Sequence, residues 1–186
     1  MLIRCTKNKS ELFANWWQNN SMPLEEILAI GKYYTVYGIT VLDSTVFFEI
    51  LTIHRKHTFS YPSILFEVID NRLSKMFCFG SIETGNNKIV PFISFKEWVN
   101  DKKFYSGLID GEEPYVTIFN KYINLLELEY KFPEIHRAAV KISDNWVQCP
   151  ECTEAWELEN QIFEMCVCPK CKTILLNPYA VTQVTL

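Results

Sequence analysis

The sequence predicts an α+β protein. A mostly antiparallel, strongly curved sheet with helices at both ends is expected over residues 1–143, followed by a small cysteine-bearing segment over residues 144–186. Three observations carry that reading. Residues 32–94 contain stretches rich in β-branched and aromatic residues, separated by Asp, Asn, Gly and Pro. Residues 112–131 place apolar side chains at helical spacing. Five of the seven cysteines fall between Cys149 and Cys171.

The elements follow in order. Ser10 and the following ELFANWWQ read as a short capped helix with Leu12, Phe13, Trp16 and Trp17 on one side, ended by Asn19, Asn20 and Ser21. Pro23 opens a second short helix, LEEILAI, which Gly31 closes in the left-handed region. KYYTVYGITVL and TVFFEILTI flank Asp43-Ser44 as a hairpin, and HRKHTFSYP reads as a loop ending at Pro62. ILFEVI and LSKMFCF flank Asp70-Asn71-Arg72 as a second hairpin, and Gly85-Asn86-Asn87 turns the chain before KIVPFI. SFKEWVN is a short helix. The helix over residues 112–131 carries Tyr115, Ile118, Phe119, Tyr122, Leu125 and Leu126 on one stripe; Glu112, Glu113 and Pro114 suit its first turn, and Pro133 ends it.

Composition narrows the class. Apolar residues make up 48%, aromatic residues 15% and charged residues 22%, a globular balance rather than a disordered one. MLIRCTKNKSELF has no apolar signal-peptide core, and the ten-residue run YYTVYGITVL is too short to span a bilayer. A soluble, cytoplasmic protein is expected. Cys5 and Cys78 stand apart from the cluster and suit a reducing compartment as small core residues. The net charge of −4 lies wholly in residues 144–186, where Lys170 and Lys172 face Asp144, Glu151, Glu154, Glu157, Glu159 and Glu164.

Cys149-Pro-Glu-Cys152, a 15-residue gap, and Cys168-Pro-Lys-Cys171 have the spacing of a four-cysteine metal site. Two intervening residues let a tight turn aim two thiolates at one cation, and each proline stiffens its loop. The repeated Cys-Pro-x-Cys phrase resembles a zinc ribbon over roughly residues 145–178. That resemblance implies one structural Zn²⁺ held by Cys149, Cys152, Cys168 and Cys171. A redox dithiol and a pair of disulfides are the rival readings, and the βαβ pattern that usually accompanies a redox CxxC is missing. EAWELE and IFEMCV read as the two strands of a hairpin around Asn160. Alternation then puts Trp156, Leu158, Phe163, Met165 and Val167 on one face, and Glu157, Glu159, Glu164 and Cys166 on the other, with Cys166 a bystander thiol.

The sequence carries no Walker A, GxGxxG, HExxH or GxSxG motif, and Asp110, Glu112 and Glu113 are explained by helix capping. A non-enzymatic protein with no evident small-molecule substrate and no membrane partner is expected. Nucleic acid is disfavoured by the acidic C-terminal segment; His54-Arg55-Lys56-His57, interleaved with Phe59 and Tyr61, is the alternative contact. GKYYTVYGI (residues 31–39) and SILFEVIDNRLSKMF (residues 63–77) resemble stretches of small bacterial immunity proteins, which neutralise a toxin encoded beside them. The resemblance implies tight binding of a basic, nuclease-like toxin without chemistry, and Glu157, Glu159 and Glu164 are the expected partner-binding residues. The alternative is a nucleic-acid-binding or transcription-associated zinc-ribbon protein.

Overall fold

The computed structural model describes residues 1–9, 22–52, 56–84, 88–132, 135–159, 161 and 163–180. The helices are α1 (Leu24–Ile27), α2 (Lys96–Asn100), α3 (Phe104–Asp110) and α4 (Glu113–Glu129). The chain divides into two units, Met1–Arg4 with Tyr33–Phe132, and Cys5–Lys32 with Pro133–Leu186. This differs from a single cut after residue 143: two sequence-distant segments share the cysteine-bearing unit. The α+β class holds. The expected helix after Ser10, the Gly85-Asn86-Asn87 turn, and His54 and Arg55 lie outside the described residues.

The first unit is a seven-stranded sheet of β1 (Leu2–Cys5), β2 (Tyr33–Leu42), β3 (Thr45–Ile50), β4 (Phe59–Pro62), β5 (Phe66–Asp70), β6 (Phe77–Glu83) and β7 (Ile89–Phe95). Strand β2 organises it. Its first residues pair antiparallel with β1 (Leu2 opposite Thr35), and its middle pairs with β7 (Gly38 opposite Ser94). Strand β3 pairs with β2 from Val36 to Leu42, and a register shift between Val36 and Gly38 bends the ladder. Asp43 and Ser44 both adopt positive φ, 47° and 63°, as a two-residue hairpin turn requires.

Two expectations change here. Strand β5 neighbours β1 while β6 pairs with β7, so Asp70-Asn71-Arg72 does not close a hairpin. The Asp70 carboxylate accepts hydrogen bonds from the Arg72 backbone N–H (3.0 Å) and guanidinium, a local turn that redirects the chain. Phe59–Pro62, expected in a loop, is strand β4 paired with β3 (Phe48 opposite Tyr61). It is the terminal strand of the sheet path, where the missing N–H of Pro62 is tolerated.

The three later helices cover one face of this sheet. Helix α4 buries Phe119, Tyr122 and Leu126 of the expected stripe, with Leu125 on its exposed flank. They pack with Phe92, Phe95, Trp98 and Phe104, and Phe95 stacks on Tyr122 at 3.9 Å between ring centroids. Helix α3 was not anticipated, because Gly107 interrupts its pattern. A Cβ there would lie 2.1 Å from the Tyr115 ring, so glycine permits the close approach of α3 to α4.

The second unit holds β8 (Val140–Ser143), β9 (Trp146–Gln148) and β10 (Ala155–Glu157) in one antiparallel sheet, and β11 (Met165–Val167) with β12 (Ile174–Leu176) in another. The chain around residues 137–143 joins them. Strand β8 pairs with β9, while just before it Ala139 N–H donates to Leu176 O (3.0 Å) and Leu176 N–H to Arg137 O (2.9 Å). The helix after Pro23 ends sooner than expected, with Leu28 already extended; Gly31 is left-handed as expected, at φ 88°, but in the turn beyond it, where Lys32 N–H donates to Ala29 O (3.1 Å), and a Cβ there would lie 2.5 Å from Val167 Cγ2. No helix among the described residues is long and apolar enough to cross a membrane.

Candidate metal centre

Each Cys-Pro-x-Cys phrase forms the tip of its own hairpin. Cys149 N–H donates to Glu154 O (2.8 Å) and Thr153 N–H to Cys149 O (3.0 Å); Cys168 N–H donates to Thr173 O (3.0 Å) and Lys172 N–H to Cys168 O (3.0 Å). The residue after each second cysteine is left-handed, Thr153 at φ 60° and Lys172 at φ 62°. The two turns are therefore equivalent in hydrogen bonding and in backbone conformation. The β9–β10 strands carry the first tip and the β11–β12 strands the second. The expected pairing of EAWELE with IFEMCV is corrected: β10 pairs with β9 and β11 with β12, each strand of three residues pairing across the adjacent cysteine turn.

The tips bring four sulfurs together. The Sγ atoms of Cys149, Cys152, Cys168 and Cys171 all lie within 4.8 Å of one another. Cys149 Sγ is 3.6 Å from Cys171 Sγ, and Cys152 Sγ is 3.5 Å from Cys168 Sγ. A tetrahedral shell with metal–sulfur bonds of about 2.3 Å has edges of about 3.8 Å, close to both pairs. The four cysteines are positioned to hold one metal ion. Burial is graded, with Cys149 and Cys168 in the core, Cys152 half-buried and Cys171 exposed.

Backbone and side-chain donors already aim at the sulfurs. Glu151 N–H lies 3.4 Å from Cys149 Sγ, and the Thr173 hydroxyl is 3.1 Å from Cys171 Sγ. Hydrogen bonds from the Thr173 hydroxyl, and then from its backbone N–H, lower the Cys171 thiol to about 6. For Cys152 the Glu154 backbone N–H pulls the same way, but loss of solvent and the neighbouring Cys171, Cys168 and Cys149 sulfurs outweigh it and hold the thiol up. Lys170, on the second tip, pairs with Glu154 beside the first at 3.6 Å, and Arg137 pairs with Glu151.

Cys166 is not one of the four. It is buried with Ala139, Val147, Leu158 and Leu175, so its expected place among the outward-facing residues is corrected. Strand β11 turns Cys166 toward the small core and leaves Met165 and Val167 half-buried. Burial pushes the Cys166 thiol up to about 11.

The three glutamates are exposed but are not cross-strand neighbours, since β10 and β11 are not paired with each other. Glu157 on β10 accepts from Asn145 Nδ2, and the Glu164 backbone carbonyl accepts from Asn177 N–H (2.8 Å). Glu157 and Glu159 instead share an open groove of about 770 Å³ with Glu25 and Glu26. Trp156, Phe163 and Met165 supply apolar lining, and among the described residues Lys172 is the one cation on the wall. Glu164 is not part of the lining. Sequence reasoning missed Glu25 and Glu26, because nothing local links α1 to a strand that begins 130 residues later. Of the basic loop, His57 places Nδ1 2.9 Å from the Thr58 carbonyl, with its ring 5.5 Å from that of Phe59.

Comparison with known protein families, with characterised proteins and with solved structures finds no match to this chain.

Proposed function

We propose that the protein is a non-enzymatic protein-binding module, stabilised by one structural zinc ion, that neutralises a cognate bacterial toxin. The acidic groove carries the reading. Four carboxylates and one lysine line a depression with apolar side chains, a chemistry that complements a basic, partly apolar protein segment. A phosphate backbone would meet repulsion there, which speaks against the transcription-associated alternative. Zinc suits the donor set, because closed four-thiolate shells are the usual structural zinc sites and leave no open position for a reacting water. The immunity assignment rests on the sequence resemblance of residues 31–39 and 63–77. Glu164 adds to the negative field of the same unit, alongside Glu157 and Glu159.

The test is co-expression with the product of the neighbouring gene, followed by association kinetics. The toxin is expected to co-purify. Replacing Glu25, Glu26, Glu157 and Glu159 with Gln should slow association by about tenfold at low salt and much less at high salt. Capture of RNA or DNA in a gel shift, with no captured protein, overturns the reading. An association rate unchanged by the fourfold variant removes the groove from it.

A further inference from the structure

The margins of the seven-stranded sheet, β4, β5 and β6, are not alike. Strand β4 is four residues long and ends in Pro62. Strand β5 carries Glu67 and Asp70. Shortness, proline and charge all discourage a further strand from adding. Strand β6 lacks them. FCFGSIE runs seven residues without proline, lysine or arginine, and its one charge, Glu83, stands at the end. Its register with β7 is unbroken, and among the described residues β7 is its only strand partner.

The ladder shows which backbone groups of β6 face outward. Thr84 N–H donates to Lys88 O (2.9 Å), one step beyond the last strand pair. Pro91, which has no N–H, lies opposite Ser81. Bonded and non-bonded pairs alternate along an antiparallel ladder, so Cys78, Gly80 and Ile82 bond to β7. Phe77, Phe79, Ser81 and Glu83 point their backbone groups away from it. Of these, Phe77 already gives its N–H to Ser74 O (3.1 Å). The edge therefore offers donors at Phe79, Ser81 and Glu83, and acceptors from Phe77 onward.

The side chains point the same way. Helix α2 covers one face of β6, so closely that a Cβ on Gly80 would lie 2.2 Å from Val99 Cγ1. On the other face Phe79 is 76% exposed, opposite Ile93 and near exposed Pro91 and Ile89. Soluble folds avoid an exposed phenylalanine on an unpaired, nearly uncharged edge unless another strand covers it.

We infer that β6 pairs antiparallel with β6 of a second copy of this chain, about a twofold axis through Gly80. The strand complements itself in that register. Phe79 lies opposite Ser81 of the second copy, and Glu83 opposite its Phe77. Every outward N–H then meets a carbonyl, because Phe77 lends an acceptor to Glu83 and needs no further partner for its own N–H. Each Phe79 ring packs beside a serine and within reach of the other Phe79, its diagonal neighbour. Glu83 comes beside Lys75 of the second copy, an exposed lysine two residues before β6, so opposite charges meet at both ends. Such a pair consumes both bare edges and leaves only the protected β4 and β5 margins, so association stops at the dimer.

Sedimentation equilibrium of the full-length, metal-loaded protein should show a monomer–dimer equilibrium with a Kd of about 100 µM or tighter. Amide exchange reads the register. Protection at Phe79, Ser81 and Glu83 should rise with protein concentration, while Cys78, Gly80 and Ile82 stay protected throughout. Phe79→Lys changes only an exposed side chain and should raise the Kd by about tenfold or more. Ser81→Pro removes an outward N–H and no bond to β7, so it should fold and remain monomeric. A monomer at about 1 mM, or growth past the dimer, overturns the proposal. So does a dimer in which Phe79, Ser81 and Glu83 exchange freely, or a Phe79→Lys protein that dimerises like the parent.

Discussion

The two units of this chain are held together by different physics. The first has a ten-residue central strand and a core built from large aromatic side chains, Phe92, Phe95, Trp98, Phe104, Phe119 and Tyr122. In the second, β9 to β12 are three residues each, and three of the seven buried core residues are cysteines. Burying a large aromatic side chain stabilises by about 2–3 kcal/mol, so the first unit gathers its stability from apolar area. The second cannot do so. Short strands around a thiol-rich core bury little apolar area, and a metal held by the four cysteines would supply what packing does not. The same chain would thus contain one region whose stability is spread over many contacts and, with metal bound, one whose stability is concentrated at four atoms.

The largest effect that could break this comparison is metal removal. Structural zinc contributes on the order of 10 kcal/mol to the folding of small domains. Chelation, or the Cys149→Ser/Cys168→Ser pair, should abolish amide-exchange protection in the described residues of the second unit, 5–9, 22–32, 135–159 and 163–180, while the first unit stays protected. The purified protein should carry about one zinc per chain, and the double variant none. Retention of zinc by the double variant would sink the ligand assignment. Loss of protection in both units together would show that the division into two stabilities is false.

The second unit also shows what the sequence could and could not convey. The four ligands were legible because metal-ligand spacing is local: Cys-x-x-Cys is complete within one turn. Helix α4 was legible for the same reason, its stripe recurring over seventeen residues. The Asp43-Ser44 hairpin and the left-handed Gly31 also came from local chemistry. Strand partners did not. Residues 137–143 bridge two hairpins, and Cys5 exchanges backbone hydrogen bonds with Gly31 and Lys32, pairings that no periodicity encodes. Cys166 was placed on the wrong face because alternation fixes which residues share a side, not which side is inward. Glu49 had a visible signal that went unused. In TVFFEIL it alternates with Phe47 on one side of a strand, and a carboxylate in register with a buried phenylalanine marks an inward charge.

That inward charge sharpens the comparison through pH. Burial raises the Glu49 carboxyl from 4.5 to about 7, so the folded first unit binds this proton more tightly than the unfolded chain does. The contribution is fully present below pH 4.5 and is lost as pH rises through about 7. The loss amounts to about 3 kcal/mol, at roughly 1.4 kcal/mol per unit. Glu49→Gln should therefore flatten the first unit's stability between those values and make it more stable than the parent above pH 7. Denaturant unfolding at three pH values, followed through first-unit amides, reads this directly. The second unit should run the opposite way, since thiolate ligands are lost to protons as pH falls. A parallel pH slope in both units would contradict their separate origins.

The smallest effect isolates backbone strain, which both units carry. Ser44 in the β2–β3 turn and Thr153 and Lys172 in the cysteine turns are non-glycine residues at φ 63°, 60° and 62°. A left-handed conformation costs such residues about 1–2 kcal/mol, while glycine adds about 0.4–1 kcal/mol of unfolded-state entropy. Glycine at each position should thus yield a net gain of about 0.5–1 kcal/mol. Thr153→Gly also gives up a hydroxyl bond to the Cys152 carbonyl (2.7 Å), which is exposed and worth little. The sites differ in where the gain appears. In the first unit, Ser44→Gly should raise the unfolding temperature by a few degrees and leave metal affinity unchanged. In the second, if folding and metal binding are one event, Thr153→Gly should tighten metal binding by about two- to fivefold. Competition titration with a chelator of known affinity measures it. A Thr153→Gly protein with unaltered metal affinity but a higher unfolding temperature would mean that the second unit folds before it meets its metal.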